Sequence, residues 1–291
     1  MTQTDQKRRW GVEQRLEFIE FRLFWDGALK RADITTRFGV SIVQASADLS
    51  AYRALAPDNV AYDASQKRFI ASPRFRPKLL KPDVDRYLLQ LRAVADNVVS
   101  LVDSSIGSWV PIDAMPIPHR RVDPEILRVL MGVIRRGRGI EVLYHSMNSK
   151  RPLPLWRGIA PHALAFDGLR WHVRGYCQLE SRFKDFVLSR ILETGNEISA
   201  AKKPEEDHQW ESVFKVVLVP NPKLAKGQRV TIARDYEMTN GELQVPVRRA
   251  LLYYFNKRLR LDVSDSDDPK EAPIVLANRL EFLEALRSSE T

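Results

Sequence analysis

Tryptophan, histidine and arginine concentrate in residues 169–191, which read LRWHVRGYCQLESRFKDFVLSRI. A strand here puts His172 and Arg174 on one face, opposite an apolar face that packs. Residues 182–191 alternate again, which predicts a second strand after a turn at 178–182. Guanidinium groups bind phosphate oxygens and aromatic rings stack on bases, so the polar face predicts a site for an anionic ligand.

A second group of residues has the chemistry to read DNA. One helical pattern ends at Phe38, and another follows Ser41, a residue type that caps helices. This is helix-turn-helix spacing, whose second helix presents its first residues to base edges. Gln44 is the best candidate, because glutamine can form two hydrogen bonds with adenine. The residues predicted to face outward are Ser41, Gln44, Ser46 and Ala47, and those predicted to face inward are Ile42, Ala45, Leu49 and Tyr52.

The segment after this helix predicts a β-hairpin. Alternating residues at 60–62 and an apolar pair at 69–70 flank a polar turn. Lys67 and Arg68 then lie on a wing and, with Arg53, are predicted phosphate contacts. The alternative is a solvated basic surface, and the adjacent helix-turn-helix favours DNA.

Helical periodicity defines the other N-terminal elements. A mostly buried helix is predicted over residues 12–25, and residues 77–82 form a proline-bounded linker. Asp83 then caps a connecting or dimer helix. The apolar stripe of that helix consists of Val84, Leu88, Leu91, Ala95, Val98 and Val102.

The later part of the chain changes from helical to strand patterns. A helix opens at Asp123 and closes at Gly137, strands follow at 140–144 and 156–159, and residues 195–212 form a polar linker. The last 80 or so residues predict a small α/β unit. Its predicted strands are 213–219, 229–233 and 243–245, with a turn at 240–241 and helices at 247–257 and 277–286.

Composition limits the possible functions. The chain has 291 residues, enough for two or three domains, and its formal net charge of +9 favours a polyanionic partner. A single cysteine, Cys177, excludes a disulfide framework and a Cys-based zinc site. The N-terminus predicts neither a signal peptide nor a membrane span, hence a cytoplasmic protein. No motif for a catalytic residue, metal or cofactor occurs, so no enzyme is expected.

The hairpin and its surroundings resemble the WYL-domain family of bacterial transcription regulators. The family's Trp-Tyr-Leu triplet reads Trp171-His172-Val173 here, similar to WYL repressors beside phage-defence operons of the BREX- and CBASS-associated kind. The matching positions are Pro161, Leu164, Trp171, Tyr176, Arg182, Phe186, Leu188, Arg190 and Ile191.

This resemblance implies an α+β multidomain protein. Its parts are a winged helix-turn-helix (1–80), a connecting helix and linker (81–122), a ligand-sensing Sm-like, SH3-type β-barrel (123–205) and a small α/β dimerisation domain (206–291). The resemblance also implies one polar pocket for a nucleotide or nucleic-acid fragment. Its residues are Tyr144, Ser146, His162, Arg174, Arg182 and Arg190, to which the hairpin chemistry adds His172 and Phe183.

Alternatives stay open for two of these residues. His162 follows a proline and could be a hydrogen-bonded structural histidine, and Arg190 could pair with Glu193 or Glu141. A cluster of arginine, histidine and aromatic residues nevertheless favours binding.

These patterns predict a sequence-specific DNA-binding repressor that binds a palindromic operator as a homodimer, with no membrane partner. The resemblance implies an anti-phage defence operon as its target and relief by the ligand of the barrel. One alternative is a module whose barrel binds RNA or single strands directly. Another is an accessory subunit of a nuclease or helicase.

Overall fold

The computed structural model describes residues 3–100, 104–107, 110–118, 120–262 and 268–290, with side chains from residue 10 to residue 288 within those ranges. The chain divides into two compact units, residues 1–117 and 118–291. In the part that the structure describes, no helix is long and apolar enough to cross a bilayer.

The first unit is a winged helix-turn-helix with its own apolar core, and a second, smaller cluster forms around Tyr87 and Leu91 of α4. Its sheet has the order β1-β3-β2 and is antiparallel, and β1 is a strand that the sequence did not predict. The core is formed by Ile19, Leu23, Ile34, Leu49 and Tyr52 together with neighbours. The elements are α1 (Gln3–Asp26), β1 (Ala28–Leu29), α2 (Arg31–Phe38), α3 (Ile42–Leu55), β2 (Val60–Asp63), β3 (Arg68–Ala71) and α4 (Val84–Ala95).

The turn between α2 and α3 forms where the sequence predicts it. Gly39 ends α2 with a φ of 64°, a left-handed conformation that suits glycine. The Ser41 side chain accepts a hydrogen bond from the Gln44 N–H and caps α3. The prediction that Ile42 faces inward is wrong, because Ile42 is largely exposed.

Helix α4 is shorter than its apolar periodicity predicts. It ends at Ala95, and the residue at 102 of the predicted stripe lies outside the described residues. Val84 and Leu88 are exposed, whereas Tyr87 is buried against Trp25 with parallel rings 4.1 Å apart. The face of α4 that packs is therefore the one that carries Tyr87, because Trp25 of α1 stacks on it.

The second unit begins with a helix on a five-stranded antiparallel sheet in the order β7-β6-β5-β4-β8. The helix α5 covers a core that contains Leu130, Ile140, Val142, Val173 and Phe186. Its elements are α5 (Pro124–Arg136), β4 (Gly139–Tyr144), β5 (Leu155–Phe166), β6 (Trp171–Cys177), β7 (Arg182–Val187) and β8 (Ile191–Ile198).

Several predicted boundaries in this sheet are wrong. Strand β5 continues to Phe166 through a bulge at 161–163. Strand β7 stops at Val187, and a 3₁₀ turn over Leu188–Arg190 replaces the end of the predicted second strand. The strands at the two edges, β7 and β8, share no ladder in the described part of the chain, so the closed barrel is not confirmed.

The rest of the second unit is a three-stranded sheet with helices, in the order β10-β9-β11. The strand predicted over residues 229–233 is wrong, because these residues lie in a helix. The β-branched residues there favour a strand, but this preference is overridden. Strand β10 also extends into the predicted helix at 247–257, and β11 was not predicted. The elements are α6 (His208–Glu211), β9 (Val213–Pro220), α7 (Lys226–Asp235), β10 (Leu243–Arg248), α8 (Leu252–Arg258), β11 (Ile274–Leu276) and α9 (Arg279–Glu290).

Candidate nucleic-acid interface and anion site

Two buried polar contacts fix α3 against α1. Arg15 donates from Nε to Asp48 Oδ2 (2.7 Å), and the Tyr52 hydroxyl donates to Glu20 (2.9 Å). Burial, followed by the interaction with Glu20, raises the pKa of Tyr52 well above its usual range, although a hydrogen bond from Asn59 opposes this. Helix α3 therefore has a defined orientation within the first unit.

The exposed start of α3 differs from the predicted reading surface. Ser41 and Ala47 are exposed and Ser46 is half-buried, but Gln44 is also half-buried and its amide donates to Asp48 Oδ1 (3.0 Å). The most exposed large side chains there are Ile42 and Val43, which sequence reasoning missed as surface residues. Their position directly after the capping serine was the available signal.

The wing presents its basic residues through a turn held by Asp63, whose carboxylate accepts from the N–H groups of Ser65 and Gln66. Lys67 is exposed with a φ of 48°, and Arg68 is half-buried. Arg53 lies exposed in the last turn of α3.

The predicted ligand residues of the second unit lie on both faces of the sheet. Directly paired residues share a face, and Arg182 pairs with the core residue Cys177, whereas Arg174 pairs with Asp185. Tyr144 and Arg182 therefore belong to the core face. The residues on the opposite side are His162, His172, Arg174 and Phe183. The expectation of one pocket for all these residues is corrected, because side chains alternate along the strands.

On the outer face, Arg174 and His162 converge on a carboxylate that the sequence assigned to a linker. Arg174 Nε and Nη2 donate to Asp207 Oδ2 and Oδ1 at 2.8 and 3.0 Å, and His162 Nε2 lies 2.9 Å from Asp207 Oδ2. Arg174 also donates to Asp185 (3.3 Å), which accepts from the Tyr254 hydroxyl (3.0 Å). We name these five residues the Asp207 cluster. Asp207 caps α6 and Tyr254 lies on α8, so the cluster joins the β6–β7 hairpin to both helices. Arg174 and Asp207 are buried.

His172 is held in a neighbouring contact. Its Nε2 lies 2.9 Å from Asp167 Oδ2, and its ring centroid is 4.9 Å from that of Tyr254. Burial alone raises the pKa of Asp167, but the hydrogen bond with His172 and the N–H groups of Leu169 and Arg170 lower it to about 2. His172 thus stabilises the turn before β6 in this structure.

On the core face, four cationic side chains surround one carboxylate. Arg151 and Arg157 donate to Glu180 Oε1 (3.1 and 2.9 Å), Lys184 donates to Oε2 (2.7 Å), and Arg182 Nε lies 3.6 Å from Oε2. We name these five residues the Glu180 cluster, whose formal charge is +3. Burial alone raises the pKa of Glu180, but Lys184 and Arg157 lower it to about 2.

Tyr144 borders this cluster, since the Arg157 guanidinium lies 5.4 Å from its ring centroid. Ser146 Oγ accepts from the Asn148 N–H (3.2 Å), and Arg190 ends the 3₁₀ turn with a half-buried side chain. Within the described residues, no ion pair joins Arg190 to Glu193 or Glu141. Sequence reasoning missed Arg157, whose contribution depends on the contact between β5 and the β6–β7 turn.

A winged helix-turn-helix with an exposed recognition-helix start and a basic wing defines the class of winged helix-turn-helix DNA-binding proteins. Residues 11–93 match the BrxR transcriptional regulator winged helix-turn-helix domain, residues 125–194 the WYL domain, and residues 213–282 the BrxR C-terminal dimerization domain. The chain belongs to the CapW family of DNA-binding transcriptional repressors, with which it aligns almost end to end.

The relatives support this assignment over nearly their whole length. The chain is 37% identical to the DNA-binding transcriptional repressor CapW of Escherichia coli (strain KTE188) and 38% identical to that of Pseudomonas aeruginosa, each over 97% of this chain and 94% of the relative. A solved structure, proteasome accessory factor B/C (PafBC) of Arthrobacter aurescens, aligns with 94% of this chain and 45% of that chain. Its TM-score of 0.29 and identity of 13% are too low to establish a shared fold.

Proposed function

We propose that this protein is a sequence-specific DNA-binding transcriptional repressor of an anti-phage defence operon. The observation that carries the proposal is the recognition helix α3, whose start is exposed in the same unit as the basic wing, in a chain whose relatives are named as repressors. Arg53, Lys67 and Arg68 supply phosphate contacts, and the exposed start of α3 supplies base contacts.

Footprinting on the DNA upstream of the gene tests this function. A repressor that binds as a homodimer protects a short palindromic site, because a two-fold protein presents the same surface to each half-site. Protection without sequence preference, or preference for single strands or RNA, contradicts the proposal and favours a module whose second unit binds nucleic acid directly.

The dimer forms through the C-terminal part of the second unit in this proposal, as the matched dimerization domain suggests. That part carries an open apolar groove of about 730 Å³, which suits a second copy of the chain. Val230 lies at this groove and is 65% exposed. The groove is lined chiefly by Val219, Pro220, Val230, Ala233, Val275 and Leu276.

Val230→Asp is expected to convert the dimer to a monomer at micromolar concentration, because the interface would have to desolvate a carboxylate in place of an apolar side chain. Light scattering measures the mass, and circular dichroism checks the fold. Leu280→Asp is the matched control, since Leu280 is exposed on α9 outside the groove. If Val230→Asp remains a dimer and Leu280→Asp becomes a monomer, the interface lies on α9 and not at the groove.

A nucleotide or nucleic-acid fragment relieves repression in this proposal by binding at the Glu180 cluster. The charges favour the Glu180 cluster over the Asp207 cluster, in which Asp207 and Asp185 already neutralise the cations. The order β8-β4-β5-β6-β7 is compatible with curling into the Sm-like barrel of our sequence-based prediction, and Tyr144 lies at the edge of the cluster. Ser146 and Arg190 flank it in the proposed site.

Arg182→Ala is expected to weaken binding of short oligonucleotides and nucleoside triphosphates about tenfold or more, because a charged hydrogen bond contributes about 1.5–3 kcal/mol. Glu180→Gln is expected to strengthen it, since this change removes the carboxylate that competes for the cations. Titration calorimetry of the full-length protein measures both effects. Arg128→Ala, on the exposed side of α5, is the control. Equal affinities for wild type and Arg182→Ala would place the ligand elsewhere.

A further inference from the structure

The outer surface at the start of α3 is apolar. Ile42 is 70% exposed and Val43 is 79% exposed, and Ala47 follows on the exposed surface one turn later. Neither Ile42 nor Val43 belongs to the core cluster of the first unit. Burial of the exposed apolar surface of these two β-branched residues against a partner is favourable, because it removes that surface from water.

The polar side chains on either side of this pair are already engaged, and Ser41 accepts from the Gln44 N–H as the cap of α3. Gln44 donates to Asp48, and Asp48 is fixed by Arg15. These contacts hold the Gln44 amide toward α1, whereas Ile42 and Val43 contact solvent. The first residues of a recognition helix are the ones that face base edges in the major groove. In α3 these residues therefore present mainly methyl groups.

We propose that Ile42 and Val43 determine operator specificity by contacting the C5-methyl groups of thymines. The inference rests on the proposed DNA-binding function. Thymine is the one standard base with a methyl group on its major-groove edge, so apolar side chains distinguish it from cytosine by contact. Base readout by this helix is then chiefly apolar, and the wing supplies the sequence-independent affinity.

The first part of the test changes the DNA. Duplexes are first selected by the full-length protein from a random library, and the selected half-sites are expected to contain thymines at fixed positions. Each of these thymines is then replaced by deoxyuridine, which removes the methyl group and keeps the base pair. Each contacted methyl is expected to contribute about fourfold in affinity, from about 0.8 kcal/mol per buried carbon group. Removing one methyl from each half-site is expected to lower affinity roughly 10- to 20-fold.

Protein variants complete a double-mutant cycle with the modified DNA. Ile42→Ala/Val43→Ala is expected to bind the thymine and deoxyuridine duplexes equally, because the contacting groups are absent. Leu55→Ala is the matched control, an exposed apolar residue at the far end of the same helix, and it is expected to retain the wild-type preference.

The outcomes separate this inference from the proposed function. If a motif is selected but deoxyuridine has no effect on wild-type binding, the thymine readout is overturned and the DNA-binding function stands. If no motif is selected, both are overturned. Preference for the methyl group that disappears in the double variant supports the inference.

Discussion

Replacing Asp207 with alanine is expected to destabilise the second unit by about 3–5 kcal/mol, because it leaves Arg174 buried without its main carboxylate partner. His162 loses its partner as well, and α6 loses the side chain that caps it at Trp210. For a unit of this size the melting temperature should fall by roughly 10 °C. Differential scanning calorimetry of the full-length protein measures the change.

The control for this prediction is Glu205→Ala, because Glu205 is an exposed acidic residue two positions away. It is expected to leave the melting temperature within about 1 °C, as is usual for an exposed surface position. Equal stability of wild type and Asp207→Ala would show that the Asp207 cluster does not hold the C-terminal elements on the hairpin.

The effect of Asp207 should depend on pH. Burial alone raises the pKa of Asp207, but hydrogen bonds with His162 and Arg174 hold it well below its usual range. A carboxyl group whose pKa is lower in the folded state stabilises the fold above its unfolded pKa, about 3.9, and loses this effect as the pH falls through the folded value. The stability difference between wild type and Asp207→Ala should therefore begin to shrink below about pH 4.

Glu20→Ala is expected to destabilise the winged helix by about 3 kcal/mol, since hydrogen bonds to a charged group contribute about 1.5–3 kcal/mol each. The buried Glu20 carboxylate accepts from the N–H groups of Lys78, Leu79 and Leu80 at 2.9, 2.6 and 2.5 Å, and from Tyr52 of α3. The loss should release the segment after the wing and loosen α3. Hydrogen exchange at residues 78–80 and on α3 measures both effects.

Glu17→Ala is the matched control, because Glu17 is exposed on the same helix one turn earlier. Glu20→Gln should be destabilising too, since an amide has one acceptor oxygen where the carboxylate has two. Unchanged exchange at residues 78–80 in Glu20→Ala would contradict the proposed anchoring of this segment.

The sequence by itself determined the features that depend on local chemistry. Ser41, Gly39 and Asp123 mark helix ends because a cap or a left-handed glycine acts within a few residues of its own position. The wing turn at Asp63 and the alternation of β6 follow from equally short-range rules. The resemblance to the WYL family rests on residues that lie close together in the sequence, and the comparisons confirm it.

Only the tertiary structure decided which polar groups meet. Asp207 lies in a stretch that looks like a solvated linker, and Glu20 lies in an amphipathic helix, yet both carboxylates are buried. Arg174 donates to Asp207 from 33 residues away in the sequence, and Tyr52 donates to Glu20 from 32 residues away. The alternation of side chains along the strands puts Arg174 and Arg182 on opposite faces, although the family resemblance implies one pocket for both. Strand pairing and burial are long-range properties, and a single sequence does not specify which distant segment covers which face.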